Sequence, residues 1–358
     1  MSGRTHLGKK ESPRMMGESR LWSPFDARPR AGPSDDLRLF ALKATGELGR
    51  AIADALGRPL SAHEEREFED GEHKARPPEP VAGADVYVIH SLYGGPAQSA
   101  NDKLCQLLFF IGALKDAGAA RVMAVVPYLC YARKDRRTKP NDPVTTRYIA
   151  AMLEAVGTDG IVTLEVHNPV AFENAFRCRT VALTATPLFV AYARRLTDEN
   201  LCVVSPDTGG AKRAELFRET LEAACGRPVG KAFADKHRSA GVVTGDLFVG
   251  NVEGATALII DDLISTGGTL VRAARAARAA GARRVVALAA HGLFMRGADE
   301  ALADPALDRV VVTDTVPPFR LPSGVTRDKL DILASAPLFA ETIARLHEGR
   351  ALTDLLVF

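Results

Sequence analysis

An apolar run that ends in two adjacent carboxylates and then enters a Ser-Thr-Gly-Gly-Thr turn leaves a chain few folds to choose from. Here the run is Leu258-Ile259-Ile260-Asp261-Asp262-Leu263-Ile264-Ser265-Thr266-Gly267-Gly268-Thr269-Leu270. Its unbroken leucine and isoleucine character suits a parallel strand covered on both faces. The small residues after it suit a loop that opens a helix, and ligands of open α/β sheets sit at that carboxyl-terminal edge. Glycines and hydroxyl residues let backbone N–H groups approach an anion, and the helix N-terminus adds favourable partial charge. Asp261 and Asp262 would repel a second phosphate there, but carboxylate oxygens accept hydrogen bonds from sugar hydroxyls. Loop and acids together describe a site for a sugar 5-phosphate. Taken as structure alone, the same residues make a tight turn with an N-cap.

The alternation continues along the chain. Residues 86–89, 122–126, 161–164, 202–204, 257–260 and 285–288 read as buried strands, and helical stretches separate them. Leu104, Leu107, Leu108, Ile111 and Leu114 recur at helical spacing, with Asn101 or Asp102 as N-cap and Gly118 as the stop. Ala117-Gly118-Ala119-Ala120-Arg121-Val122-Met123-Ala124 resembles Ala280-Gly281-Ala282-Arg283-Arg284-Val285-Val286-Ala287, and a strand, a Gly-Gly loop and a helix precede each copy. At about 150 residues per domain, a chain of 358 asks for roughly two domains. The expectation is an α/β protein of two tandem related domains, 37–184 and 185–358, each a mostly parallel sheet flanked by helices. Residues 1–36 lack apolar periodicity, are rich in basic residues and carry Pro24, Pro29 and Pro33. They read as a disordered leader, with neither a secretory apolar core nor the acid-poor helix of a transit peptide.

Charge and cysteine content narrow the function classes. The 46 basic and 44 acidic residues nearly cancel, which gives no global reason to expect nucleic acid. Arg272, Arg275 and Arg278 read as the solvated face of an alanine-rich helix. No stretch approaches the ~20 apolar residues a membrane span needs. Cys105, Cys130, Cys178, Cys202 and Cys225 are odd in number, scattered and without a C-x-x-C pair. They read as buried small hydrophobes in a reducing cytoplasm.

The Asp-Asp…Ser-Thr-Gly-Gly-Thr segment resembles the phosphoribosyl diphosphate motif of the type I phosphoribosyltransferase fold. The first half's equivalent loop, His90-Ser91-Leu92-Tyr93-Gly94-Gly95, lacks the acid pair, so only the second half is expected to bind the sugar phosphate. Four more segments resemble the ribose-phosphate diphosphokinase family, the phosphoribosyl diphosphate synthetases. They are Phe68-Glu69-Asp70-Gly71-Glu72, Pro127-Tyr128-Leu129-Cys130-Tyr131-Ala132-Arg133-Lys134-Asp135, Val204-Ser205-Pro206-Asp207-Thr208-Gly209-Gly210-Ala211-Lys212-Arg213 and Lys236-His237-Arg238. The resemblance runs from about residue 37 to the C-terminus.

The resemblance implies two tandem phosphoribosyltransferase-like domains, with ATP and ribose 5-phosphate as substrates and Mg²⁺ as cofactor. Phe68, Asp70, Gly71, Glu72, Arg133 and Lys134 would hold ATP, and His167 and Asp207 the metal. Arg238, Asp261, Asp262, Ser265, Thr266, Gly267, Gly268 and Thr269 would hold the sugar phosphate. Lys236 and Arg238 would face the transferring group, on an extended segment whose alternation puts both on one side, before a mobile loop at Ser239-Ala240-Gly241. The family's Phe68 segment reaches a neighbouring subunit, which implies a homo-oligomer with sites near subunit interfaces. Lys134 stands where a glutamine is common, Glu165 where an aspartate is, and Asn141 and Asn168-Pro169-Val170 depart at regulatory positions, so conventional allosteric control is not expected. Two other readings stay open at this level: a phosphoribosyltransferase that consumes phosphoribosyl diphosphate, and a non-catalytic regulatory homologue.

Overall fold

The computed structural model describes residues 37–196, 200–239 and 242–356, and for residues 235–247 only the backbone. The expected leader, 1–36, lies outside the described residues. The first half contains strands β1 (Leu37–Ala41), β2 (Glu64–Glu67), β3 (His73–Arg76), β4 (Asp85–Ile89), β5 (Arg121–Val126), β6 (Gly160–Leu164) and β7 (Arg179–Leu183). Five of them form a parallel sheet in the order β1-β4-β5-β6-β7, and β2 and β3 make a separate antiparallel hairpin. The second half contains β8 (Leu201–Ser205), β9 (Gly230–Ser239), β10 (Val242–Gly250), β11 (Thr256–Ile264), β12 (Arg284–Gly292), β13 (Arg309–Thr313) and β14 (Leu330–Leu333). Its sheet runs β10-β9-β8-β11-β12-β13-β14 and is parallel except for the β9–β10 ribbon at its edge. This is the α/β architecture that the alternating pattern predicts.

Side-chain alternation explains why the strands are apolar throughout. Val86 and Val88 of β4, with Val122 and Ala124 of β5, face a core private to the first half. Tyr87, Ile89, Met123 and Val125 face the other way, into a core that also takes Val203, Leu258, Ile260, Val286 and Leu288 of the second sheet. Ala257, Ile259, Val285 and Ala287 belong to a third core, private to the second half. Each central strand is therefore buried on both faces, and the middle layer is common to both halves.

The internal repeat is also a repeat of geometry. Gly118 and Gly281 follow the helices Ala100–Asp116 and Gly268–Ala279 with φ of 86° and 91°, a region that glycine enters without steric cost. After each, the second residue of the turn reaches back: Ala119 N–H donates to Leu114 O at 3.1 Å, and Ala282 N–H to Ala277 O at 3.0 Å. The N-cap of Ala100–Asp116 is Ser99 rather than Asn101 or Asp102. Asp102 instead closes a capping box, taking Ser99 N–H at 2.7 Å while Ser99 Oγ takes Asp102 N–H at 3.2 Å.

Candidate active site

Four loops at the carboxyl ends of β5, β6, β8 and β11 supply the candidate residues. Alternation along β11 puts Asp262 on the same face as Leu258 and Ile260, the face that meets the first half. There Asp262 Oδ2 accepts from His167 Nδ1 at 2.5 Å. A small cleft at this point is lined by Tyr128, Arg133, Glu165, His167, Asp262 and His291, among others. Three residues given different roles thus meet in one place, because Arg133 and His167 come from two loops and Asp262 from the end of β11.

Behind them lies a part-buried charge network. Glu165 holds a left-handed backbone, φ 45°, which is strained for a residue with a side chain. Its carboxylate takes Arg213 Nε–H at 3.0 Å on one oxygen, and Ala185 N–H at 2.9 Å and Thr184 Oγ–H at 3.1 Å on the other. Arg213 also places Nη1 3.6 Å from Asp261 Oδ1. Burial, then the like charge of Asp262, push the Asp261 carboxyl above its usual range despite the pull of Arg213. Burial would raise Asp262 as well, but the His167 hydrogen bond and Arg213 outweigh it and hold that acid low. The same hydrogen bond raises the His167 imidazole.

The phosphate loop follows directly. Gly267 has φ 79° and a Cβ there would lie 2.9 Å from Leu302 Cδ2, so the turn is open only to glycine. Helix Gly268–Ala279 starts with no side-chain cap and no acid in its first turn, which leaves its first N–H groups without an intrahelical partner beside Ser265, Thr266 and its own Thr269. Arg272 reaches back to Thr269 Oγ1 at 3.4 Å, while Arg275 and Arg278 pair with Asp304 and Asp308 at 2.5 Å. The arginine row lies on a face that stays open to solvent at Arg275, and its members are paired with acids or a hydroxyl of the same chain.

The other predicted residues are placed unequally. Asp207 is exposed after β8, with Oδ1 accepting from Gly210 N–H at 2.9 Å. Phe68 is 38% exposed at the tip of the β2–β3 hairpin, with Arg66 over its ring at 4.9 Å. Gly71, φ 87°, lets the tip turn so that Phe68 N–H reaches Glu72 O at 2.7 Å and Asp70 Oδ1 takes Glu72 N–H at 3.1 Å. Lys134 is committed elsewhere: its Nζ lies 2.6 Å from Asp142 Oδ2 and 3.2 Å from Thr138 Oγ1. Lys236 and Arg238 sit two apart on β9, opposite Asp246 and Val243 of β10. The backbone is extended there, as the alternation argument requires, and β9 includes Ser239 of the expected mobile loop, while both side chains and residues 240–241 lie outside the described residues. Cys130 and Cys202 are buried as expected, but Cys105 is exposed.

His167 and Asp207 suit a Mg²⁺ that keeps most of its coordination for phosphate oxygens and water. No group of three or more His, Cys, Asp or Glu among the described residues forms a cage for a resident ion. Sequence reasoning gave Arg213 no role and treated Glu165 only as a departure. Neither stands in a local pattern that announces the contact between them. Among the described residues, no helix is long and apolar enough to cross a membrane.

Comparison with known proteins fits this geometry. Residues 37–157 match the N-terminal domain of ribose phosphate pyrophosphokinase, and residues 243–357 match the phosphoribosyl synthetase-associated domain. A ribose-phosphate pyrophosphokinase of Caldanaerobacter subterraneus subsp. tengcongensis is 38% identical over 325 residues, 90% of this chain and 98% of that one. One from Listeria ivanovii is 36% identical over 321 residues, covering 89% and 96%. The crystal structure of phosphoribosylpyrophosphate synthetase from Mycobacterium smegmatis superimposes with a TM-score of 0.77 at 33% identity, over 88% of this chain and all of that one.

Proposed function

The chain belongs to the ribose-phosphate pyrophosphokinase family, and we propose that the cleft between its halves performs that family's reaction with the residues described above. The enzyme transfers the β,γ-diphosphoryl group of ATP to the 1-hydroxyl of ribose 5-phosphate, giving 5-phosphoribosyl 1-diphosphate and AMP. The observation that carries the assignment of roles is the meeting of Arg133, His167 and Asp262 at one cleft. The first half, 37–184, supplies the ATP side and the second, 185–358, the sugar side.

Asp261 and Asp262 take the ribose hydroxyls, and the loop Ser265–Thr269 with the uncapped helix start takes the 5-phosphate. Arg133 pairs with ATP phosphate or stacks on its base. Phe68, Asp70 and Glu72, held out on a hairpin, serve the ATP of a neighbouring subunit, so the enzyme works as a homo-oligomer. Magnesium, with His167 and Asp207 as its protein ligands, supplies charge neutralisation on the phosphates. Lys236 and Arg238, carried on β9, supply positive charge to the transferring group. Alignment and fixed charge do the rest, since phosphoryl transfer asks little covalent chemistry of a protein. The balanced acids and bases and the thiols without disulfides agree with work in the cytoplasm on small molecules. Incubation with ATP, Mg²⁺ and ribose 5-phosphate yields AMP and phosphoribosyl diphosphate in equal amounts. ADP as the nucleotide product would refute the diphosphoryl transfer.

A further inference from the structure

The structure assigns Arg213 a positioning role in ribose 5-phosphate binding: anchored on Glu165 of the first half, it holds Asp261 of the second half in place. The inference rests on the reading of Asp261 as a ribose ligand and extends it to two residues that hold no ligand themselves.

Arg213 stands in the first turn of helix Ala211–Cys225, and its side chain is 18% exposed. Its guanidinium is divided between two acids from different halves, with Nε 3.0 Å from Glu165 Oε1 and Nη1 3.6 Å from Asp261 Oδ1. Glu165 cannot swing away with it, because its other oxygen is fixed by Ala185 N–H and Thr184 Oγ–H. Its left-handed backbone, φ 45°, is the kind of strained conformation that persists only where the surroundings over-determine it. A planar guanidinium presents several donors in a rigid fork, so it can serve both acids at once where an ammonium would serve one point. Asp261 needs such a partner. It lies directly beside Asp262, whose own oxygen is taken by His167, and two adjacent carboxylates repel one another. Arg213 thus keeps the Asp261 oxygens aimed and the sugar site assembled before substrate arrives. The length of Glu165 matters too: it reaches Arg213 while still closing the Thr184-Ala185 turn, a span one methylene shorter in aspartate.

The test measures ribose 5-phosphate binding by calorimetry without ATP, together with both KM values, for Arg213→Gln, Arg213→Lys, Glu165→Gln and Asp261→Asn in the full chain. Expected is a weakening of ribose 5-phosphate binding by about tenfold or more in Arg213→Gln, with the KM for ATP within twofold of the parent. Arg213→Lys recovers part of the loss, and Arg213→Gln combined with Glu165→Gln is no worse than Arg213→Gln alone, as expected of residues acting in series. Ribose 5-phosphate binding within twofold of the parent in Arg213→Gln, or equal loss for both substrates, would overturn the inference. Should Arg213→Gln not fold, Arg213→Lys and Glu165→Asp carry the same comparison. If Asp261→Asn leaves sugar binding intact, the ribose reading itself fails. If Asp261→Asn weakens binding and Arg213→Gln does not, only the positioning role fails.

Discussion

His167 Nδ1 stands 2.5 Å from Asp262 Oδ2, so a side chain beyond the end of β6 and one near the end of β11 join the two sheets across the cleft. The acid is 6% exposed and the imidazole 42%. Water can rehydrate the histidine but not the aspartate, which depends on His167 and Arg213 for its charge. Removing one partner of such a buried pair costs more than the pair is worth, because the other is left uncompensated. His167 of the first half thus joins Arg213 of the second in holding the charge of Asp262.

A pH dependence follows from this pair. In the folded state the imidazole is raised above its ordinary 6.5 by the Asp262 hydrogen bond. The stability it contributes is fully present below that value and is lost as pH rises through the raised one. Urea denaturation from pH 6 to pH 8.5 should show the wild type losing stability that Asp262→Asn does not lose. Parallel profiles for the two proteins would sink the linkage.

The phosphate loop gives a test by backbone geometry. Gly267→Ala meets both a left-handed φ of 79° and Leu302, 2.9 Å from the new Cβ. Left-handed strain costs about 1–2 kcal/mol and overpacking about 1–3 more. Gly226→Ala is the control, with φ 64° but nothing within 4 Å, so only the first cost of about 1–2 kcal/mol applies. The expected order is Gly267→Ala well below Gly226→Ala in denaturation midpoint, with sugar binding lost in the former alone. Equal midpoints would show that the loop relaxes around the methyl group.

Asp261, Asp262 and Gly267 were legible because their chemistry is local: a strand, two acids and a turn stand in consecutive residues. The two-half architecture was legible for a related reason, since each Ala-Gly turn sits directly between its helix and its strand. Arg213 and Glu165 were not, because 48 positions separate them and only the packing of two sheets brings them together. Arg272 and Lys134 have partners that neither local pattern nor family resemblance shows, Thr269 for the one and Asp142 for the other.

Lys103 is a charge that does not line the cleft. It is 2% exposed, with Nζ 3.3 Å from the centroid of the Tyr93 ring. Burial, then the positive charge of Arg320, push its ammonium down to about 8. The unfolded chain holds that proton more tightly, so stability should rise with pH from about 8 towards 10.5. At about 1.4 kcal/mol per unit, keeping the charge at neutral pH costs on the order of 3–4 kcal/mol. Lys103→Met should therefore be the more stable protein at pH 7, with the advantage shrinking by pH 9.5 in chemical denaturation. A variant less stable than its parent at pH 7 would mean that the contact with Tyr93 outweighs the burial cost.

Arg133 and Lys134 are neighbours in sequence but stand in different surroundings. Arg133 is exposed and lines the cleft with His167 and Asp262. Lys134 is tied into the turn at 138–142, where Asp142 also accepts the backbone N–H groups of Thr138 and Lys139 at 3.0 Å. That carboxyl is held far below its usual range, first by the Lys134 hydrogen bond and then by Thr138. Arg133→Ala should raise the KM for ATP by about tenfold or more, the worth of one charge-assisted contact. Lys134→Ala should change it only about two- to threefold, about the value of a partly exposed ion pair, and should make the 138–142 turn more sensitive to protease. Steady-state kinetics with ATP varied at saturating ribose 5-phosphate separates the two. An equal rise in both variants would return Lys134 to the nucleotide site and require its ion pair with Asp142 to open when ATP binds.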